Sequence, residues 1–339
     1  MNTLRPLGVA GVLGITVTAC SSSNVLTGVT AGSPNQAQGA MGDAIGPNGV
    51  LSQISTPRGW MSPDIKKKKK LLYVSDAGTE GHEKHGRIDI FSVPGYSLVG
   101  QIRKGVDGPD GLTVDKKGNL YVANGFNRTI TVYKPGTTSP SLTLTQPKSY
   151  GPLDVAVGSN GYVYVSDTYG GVDVYPPGAT SPSTRLHNPA LTHAGGVAVD
   201  ASNNVYADGT RNSTQGAVVK YANASVTGTN LGLTGLNYPA GVIIDKNKNV
   251  VVSDWGQSEI LIYPPGKTSP SETIAVPFPD RSAINKSENL VFAPEGSYYY
   301  CPSCYFVVGV YDYPSGTLVT TIGIGGQATG AALSPAPTP

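Results

Sequence analysis

Self-comparison constrains this chain more tightly than any other feature, because two hydrophobic landmarks return at one interval along most of its 339 residues. The first is a strand-like run after a Gly/Asn turn, centred on Tyr73, Tyr121, Tyr164, Tyr206, Val251 and Val291, with steps of 40 to 48 residues. The second is an aromatic that ends a later run, at Phe91, Tyr133, Tyr175, Tyr221, Tyr263 and Tyr311, with steps of 42 to 48. Fixed periods in this range signal repeat architectures. Each unit reads as four short strands, a to d; in the second copy these are 111–115, 119–123, 129–133 and 141–145. The c–d turn recurs almost verbatim, as Lys134-Pro-Gly-Thr-Thr-Ser-Pro140, Pro176-Pro-Gly-Ala-Thr-Ser-Pro182 and Pro264-Pro-Gly-Lys-Thr-Ser-Pro270. Pro fixes φ and Gly supplies a left-handed position, so this motif is turn chemistry and not a ligand motif. Four strands per repeat is the arithmetic of a β-propeller blade. The expected fold is therefore all-β, a six-bladed β-propeller of four-stranded antiparallel blades over residues 59–334.

Seven segments resemble strand a: one near Trp60, then 111–115, 154–157, 196–200, 241–245, 282–285 and 330–333. Either the first or the last completes blade 1. The C-terminal segment is expected to dock there as a clasp, shielding edges that would otherwise be unpaired. Composition agrees: 44 Gly and 27 Pro, about a fifth of the chain, exclude an all-helical fold. With 14 % charged residues and a formal net charge of +2, neither a nucleic-acid-binding polycation nor a charge-expanded disordered chain is indicated.

The N-terminus carries an address. Arg5 precedes an apolar run from Leu7 to Val17, too short to span a bilayer core, which reads as a secretory signal over residues 1–19. Its end, Val17-Thr18-Ala19-Cys20, resembles the bacterial lipobox, which implies lipidation of Cys20 and a membrane anchor. Ser21 at the next position is similar to the pattern of lipoproteins that leave the inner membrane, so the expected location is the outer membrane or cell surface of a bacterial envelope. Residues 20–58 then read as the lipidated cysteine and a Gly/Ser/Asn/Gln-rich flexible tether, and 335–339 as a Pro-rich tail.

A Gly-led strand ending in Asp, a Gly-Asn turn, a Tyr-Val strand and a third strand ending in Tyr together resemble the NHL-repeat propellers of bacterial exported proteins. The resemblance covers about residues 59–334. It implies six blades and specifies activity poorly, since function lives in sites grafted on folds. Blade 4, with Ala222-Asn-Ala-Ser225 in place of the Pro-Gly turn, and blade 6, with a Tyr- and Cys-containing insertion, depart most from it.

In such a ring the loops before strand a and between b and c open on one face, called here the loop face. The a–b and c–d turns open on the other, the turn face. Before strand a stand Asp110, Asp154, His193, Asp280 and Arg281; the b–c loops carry Asp76, His82, His85, Phe126, Arg128, Asp167, Tyr169, Asp208, Arg211, Trp255, Tyr298, Tyr299 and Tyr300. Carboxylates converging on a channel mouth could hold a hard cation such as Ca²⁺, with Asp110, Asp154 and Asp280 as candidate ligands. Six-bladed lactonases are similar in placing a metal there. The three-imidazole pattern of zinc sites is absent, because only His193 lies near the ring.

The pairs Ser75-Asp76, Ser166-Asp167 and Ser253-Asp254 repeat at one blade position and read as strand-end residues bonding their own turns. His82 and His85 share a loop without helical or HExxH spacing. Cys301-Pro-Ser-Cys304 has no second pair to make a zinc site, and in an oxidising compartment it reads as a local disulfide. The turn face holds Lys66 to Lys70, Lys116, Lys117, Lys134, Lys246, Lys248, Lys267 and Lys286, a basic surface that could meet anionic lipid or polysaccharide. The leading expectation is a non-catalytic binding module that meets a glycan or an envelope protein through Phe126, Tyr169, Trp255, Tyr298 and Tyr299. The alternative is an extracytoplasmic metal-dependent hydrolase or lyase, lactonase-like, at the channel mouth, with His193 as base. Nucleic acid is not an expected partner.

Overall fold

A computed structural model describes residues 59–65, 68, 70–78, 85–147, 151–212, 215–295 and 306–335. The expectations for Cys20 and the tether, His82, Tyr298, Tyr299, Tyr300, Cys301 and Cys304 fall outside the described residues.

Six antiparallel sheets form the ring, five of four strands and one of five. From the channel outward, strands a are Ala328–Ser334 in blade 1, then Pro109–Val114, Pro152–Val157, His193–Val199, Pro239–Ile244 and Ala283–Ile284. Strands b are Leu71–Asp76, Leu120–Asn124, Val163–Asp167, Val205–Arg211, Val250–Asp254 and Leu290–Glu295. Strands c are Arg87–Ser92, Thr129–Tyr133, Gly171–Tyr175, Gln215–Tyr221, Glu259–Tyr263 and Val307–Asp312. Strands d are Leu98–Ile102, Leu142–Thr145, Thr184–His187, Thr229–Asn230, Glu272–Ala275 and Leu318–Gly323.

Burial explains the sequence pattern of each strand. Strands b and c lie between neighbouring blades, so Val163–Asp167 and Gly171–Tyr175 are buried at every residue and read as continuous runs. Strands d of blades 2, 3 and 5 border solvent, with Leu144, Leu186 and Ile274 as the sole buried residue of their strands, whereas Leu98–Ile102 in blade 1, covered by Trp60–Met61, is buried at four of its five residues. The aromatic that ends strand c latches one blade to the one before. The hydroxyl of Tyr133 donates to the Lys104 carbonyl at 2.8 Å, Tyr175 to Thr145 at 3.0 Å and Tyr263 to Thr234 at 2.8 Å. In blade 6 Tyr311 instead donates to Glu295 of its own blade, and Tyr313 reaches back to Asp245 at 2.8 Å.

The clasp closes the ring from the C-terminus. Ala328–Ser334 pairs with Leu71–Asp76 as the innermost strand of blade 1. The segment at Trp60, which resembles a strand a in sequence, is corrected: Trp60 and Met61 pair with Gln101 and Gly100 on the outer edge. A one-residue correction applies to blade 6 as well. The c-strand aromatic pairs with Leu72, Leu120, Val163, Val205 and Val250 in blades 1 to 5, each just before the central residue of its run. In blade 6 it pairs with Val291 itself. Blade 4, where a 3-10 turn at Ala222–Ala224 replaces the Pro-Gly motif, keeps only a two-residue strand d. No helix among the described residues is long and apolar enough to cross a membrane.

Candidate functional site

The pairing registers define a ring of equivalent positions around the channel. The six residues that face the c-strand aromatics pair inward with Leu333, Val114, Val157, Val199, Ile244 and Ile284. Three residues earlier in each strand a stand Gly330, Gly111, Asp154, Gly196, Gly241 and Arg281. Four glycines thus share one layer with a single acid and a single base. Strands a crowd together here. A Cβ on Gly241 would stand 2.9 Å from Arg281 Cα, one on Gly196 would stand 2.7 Å from Gly241 Cα, and one on Gly111 would overlap the Asp154 carboxylate. The glycines leave this collar room for two long polar side chains, one from blade 3 and one from blade 6, at opposite sides of a six-membered ring.

Arg281 is the hub of the collar. One terminal nitrogen donates to Asp110 at 2.6 Å and to Asp280 at 2.7 Å, with Arg281 10 % exposed and the two carboxylates about a fifth exposed. Asp154 accepts backbone N–H bonds from Val155 at 2.8 Å and Val197 at 3.0 Å. Asp208, fully buried, accepts from the Gly196 N–H through one oxygen, and its other oxygen has no hydrogen-bond partner. Four carboxylates therefore surround one guanidinium in a poorly hydrated layer. Burial is the main cause pushing Asp110 up to about 7, Asp154 up to about 6 and Asp208 up to about 7, and it raises Asp280 too; Arg281 pulls each of them back down in part. Burial opposes the charge on Arg281, but Asp110, Asp280, Asp154 and Asp208 outweigh it and hold the guanidinium firmly protonated.

The structure brings Asp110, Asp154, Asp280 and Arg281 together, as their positions before strand a suggest. It adds Asp208, which the sequence places only in a b–c loop. Among the described residues no group of three His, Cys, Asp or Glu side chains is arranged to hold a metal ion, and between the candidate ligands Asp110 and Asp280 stands a guanidinium. His193, the expected base, is exposed at the start of its strand, whereas Asp154 and Asp208 are buried.

The carboxylates predict a pH dependence. They bind protons more tightly in the folded than in the unfolded chain, so the stability they contribute is complete below about pH 4 and is lost as pH rises through 6 to 7. Asp173, Glu288 and Glu295 are also raised, mainly by burial, and act in the same sense. Allowing for coupling, a net change of about 2 kcal/mol corresponds to a Tm higher by roughly 5 °C at pH 5 than at pH 8. Thermal unfolding across that range checks this, and an equal or higher Tm at pH 8 contradicts it.

Other buried ion pairs serve the blades. Arg87 bridges Asp76 at 2.7 Å and Asp89 at 2.8 Å, and Arg185 bridges Asp167 and, at 3.2 Å, Asp173. The Ser-Asp pairs act on backbone. Asp76 accepts from Gly78 N–H, Asp167 from Tyr169 N–H, and Asp254 from Asn237 and Tyr238 N–H, while Ser166 donates to the Gly195 carbonyl of the next blade.

The loop face is aromatic. Phe126 is 69 % exposed, Tyr169 59 % and Tyr238 39 %. The half-buried Trp255 meets Tyr238 edge-on at 5.8 Å between centroids, and Phe278 at 5.3 Å. Phe126 lies on Gly108, where a Cβ would come within 2.6 Å of the ring, so the glycine seats an exposed phenyl group. Tyr238 and Phe278 both stand three residues before the collar, where blades 2, 3 and 4 have Gly108, Gly151 and His193, and they escaped the sequence reading because the positions before strand a were searched for polar residues.

No family model matches the chain, and no curated protein matches it. Among solved structures, a protein of unknown function from Bacteroides caccae superposes with a TM-score of 0.59 at 9 % identity, over 78 % of this chain and 98 % of the other. That similarity shows the shared fold.

Proposed function

We propose that the propeller is a non-catalytic binding module of the bacterial envelope, tethered through a lipidated Cys20, whose loop face captures a glycan. The observation that carries this reading is the aromatic surface of the exposed Phe126, Tyr169 and Tyr238 and the half-buried Trp255, presented by loops on a rigid ring. Aromatic rings with polar loop neighbours suit sugars, whose apolar C–H faces stack while hydroxyls bond the rim. The lipobox-like Val17–Cys20 and the signal before it support export, and the NHL-like repeat pattern supports a scaffold role. A protein partner on the same rings is the neighbouring possibility that the experiment separates.

The hydrolase reading has less support, since Arg281 is ion-paired with the two carboxylates nearest the loop face and the expected base is exposed. The test is capture of envelope polysaccharides by the purified chain, followed by Phe126→Ala with Tyr169→Ala. Because both rings are exposed, the double variant should keep its Tm while losing about tenfold or more in affinity. Undiminished polysaccharide capture moves the site off this face, and capture of protein but not polysaccharide replaces the ligand class.

A further inference from the structure

Behind the collar, toward the turn face, lies a cavity of about 200 Å³. Its wall is one layer of strand a, two residues beyond the collar in each blade: Thr113, Ala156, Ala198, Ile243, Ala283 and Ala332, all among the lining residues. Five of the six are apolar and four are alanine, so the side chains of this layer are short and leave space between the blades. Its inner end is formed by Asp154 and Arg281, and its outer end reaches exposed a–b turns at Lys116 and Ser159. It is a separate place from the aromatic loop face, with the collar between them.

We propose that this chamber is a second ligand site, for a small organic cation consisting of an ammonium group on a compact apolar body. This layer offers no donor or acceptor beyond the Thr113 hydroxyl; further out the lining carries Asp115, Asp200, Asp245 and Glu288, each of which accepts a hydrogen bond from an a–b turn N–H. The inner end selects charge. Asp154 lines the chamber, and both of its oxygens retain lone pairs beyond the N–H bonds they accept. Around it the acids outnumber the single guanidinium, and the buried Oδ2 of Asp208 has no hydrogen-bond partner, so internal bonding does not discharge the surplus that stands once pH is above the raised range of about 6 to 7. An ammonium at Asp154 completes that balance, and its alkyl body then lies along the alanines. Lysines on the a–b turns ring the opening, but they stand in water, where salt screens them within about 10 Å. The collar charges act across a low-dielectric interior, where they weigh more.

Three probes of one shape test this on the full chain: n-hexylammonium, n-hexanol and hexanoate, followed by ligand-observed NMR. The charge-assisted bond should make hexylammonium bind about tenfold tighter than hexanol, and hexanoate should bind weakest. Asp154→Asn should bring hexylammonium down to the level of hexanol. Ala198→Leu, in the apolar wall, should fill the chamber and remove both; Ala283→Val serves the same purpose if the leucine variant folds poorly. Hexanoate binding as tightly as hexylammonium overturns the proposal. So does hexylammonium binding that survives both the Asp154 and the wall substitutions, or no binding of it up to about 10 mM, the weak end for a ligand this small. Loss of glycan capture with hexylammonium binding intact would touch only the loop face.

Discussion

Arg281→Met is expected to unfold the propeller at neutral pH, or to lower its Tm by about 10 °C, and acid should restore part of the loss. The guanidinium donates to Asp110 and Asp280, and its charge also lowers Asp154 and Asp208. Removing it leaves four carboxylates without their counter-charge, Asp154 and Asp208 buried and Asp110 and Asp280 about a fifth exposed. Breaking a buried ion pair from one side costs about 3–5 kcal/mol, a large share of the roughly 5–15 kcal/mol that holds a domain folded. Without Arg281 the term that pulls the acids down disappears, so they respond by taking up protons. The variant should therefore be far less stable than wild type at pH 8 and closer to it at pH 5. Asp110→Asn and Asp280→Asn give the control. Each removes a charge from the surplus while keeping the shape, so their cost in the wild-type background is small, and together they should restore much of the Arg281→Met loss. Equilibrium unfolding of the cycle of variants measures that coupling. A variant with wild-type Tm at pH 8 would mean that the collar is hydrated enough to need no counter-charge.

The collar also shows where sequence reading stops. The six-fold beat is legible because each blade repeats the same buried b and c strands, and the repeated Pro-Gly turns mark where strands end. The aromatic row at Tyr133, Tyr175 and Tyr263 is visible for a physical reason that only the structure supplies, the hydroxyl that latches each blade to the one before. The residues Asp110, Asp154, Asp280 and Arg281 can be gathered by loop position alone. Their hub cannot, because Arg281 matches a glycine in four other blades, and that equivalence follows from pairing register. Blade 6 conceals it further by its one-residue shift at Val291. Asp208 is missed for a related reason: it occupies the strand position filled by Ser75, Ser166 and Ser253 elsewhere, so the repeat suggests a turn residue where the fold buries a carboxylate. Arg87 and Arg185 escape notice since Asp76, Asp167 and Asp173 lie across strands from them, while Asp89, two residues from Arg87 on its own strand, carries no repeat signal.

Truncation after Gln327 is expected to abolish cooperative folding altogether, the largest effect of any change considered. The lost segment is short, yet it is strand a of blade 1 and the joint of the ring. It pairs with six consecutive residues of Leu71–Asp76, donates from Thr329 to the Pro109 carbonyl of blade 2 at 3.0 Å, and from the Ala331 N–H to the Arg281 carbonyl of blade 6 at 3.0 Å. Leu333 and Ala331 pack with Leu72, Val74, Phe292 and Val308, while Ala332 belongs to the core between blades 1 and 2. Without the strand, the edge at Leu71–Asp76 is open and hydrophobic, the arrangement that invites pairing between chains. The truncated protein should therefore be recovered as aggregate, or as monomer without a sharp thermal transition. Two further results separate ring closure from general damage. Leu333→Ala, which keeps the strand and removes one buried side chain, should cost about 2–5 kcal/mol and leave a cooperative transition. A synthetic peptide spanning residues 325–339, added during refolding of the truncated chain, should return soluble monomer in proportion to its concentration, since every bond it makes is non-covalent. A truncated chain that melts sharply near the wild-type temperature would show that five complete blades and an open sixth suffice, and that the clasp only trims an edge.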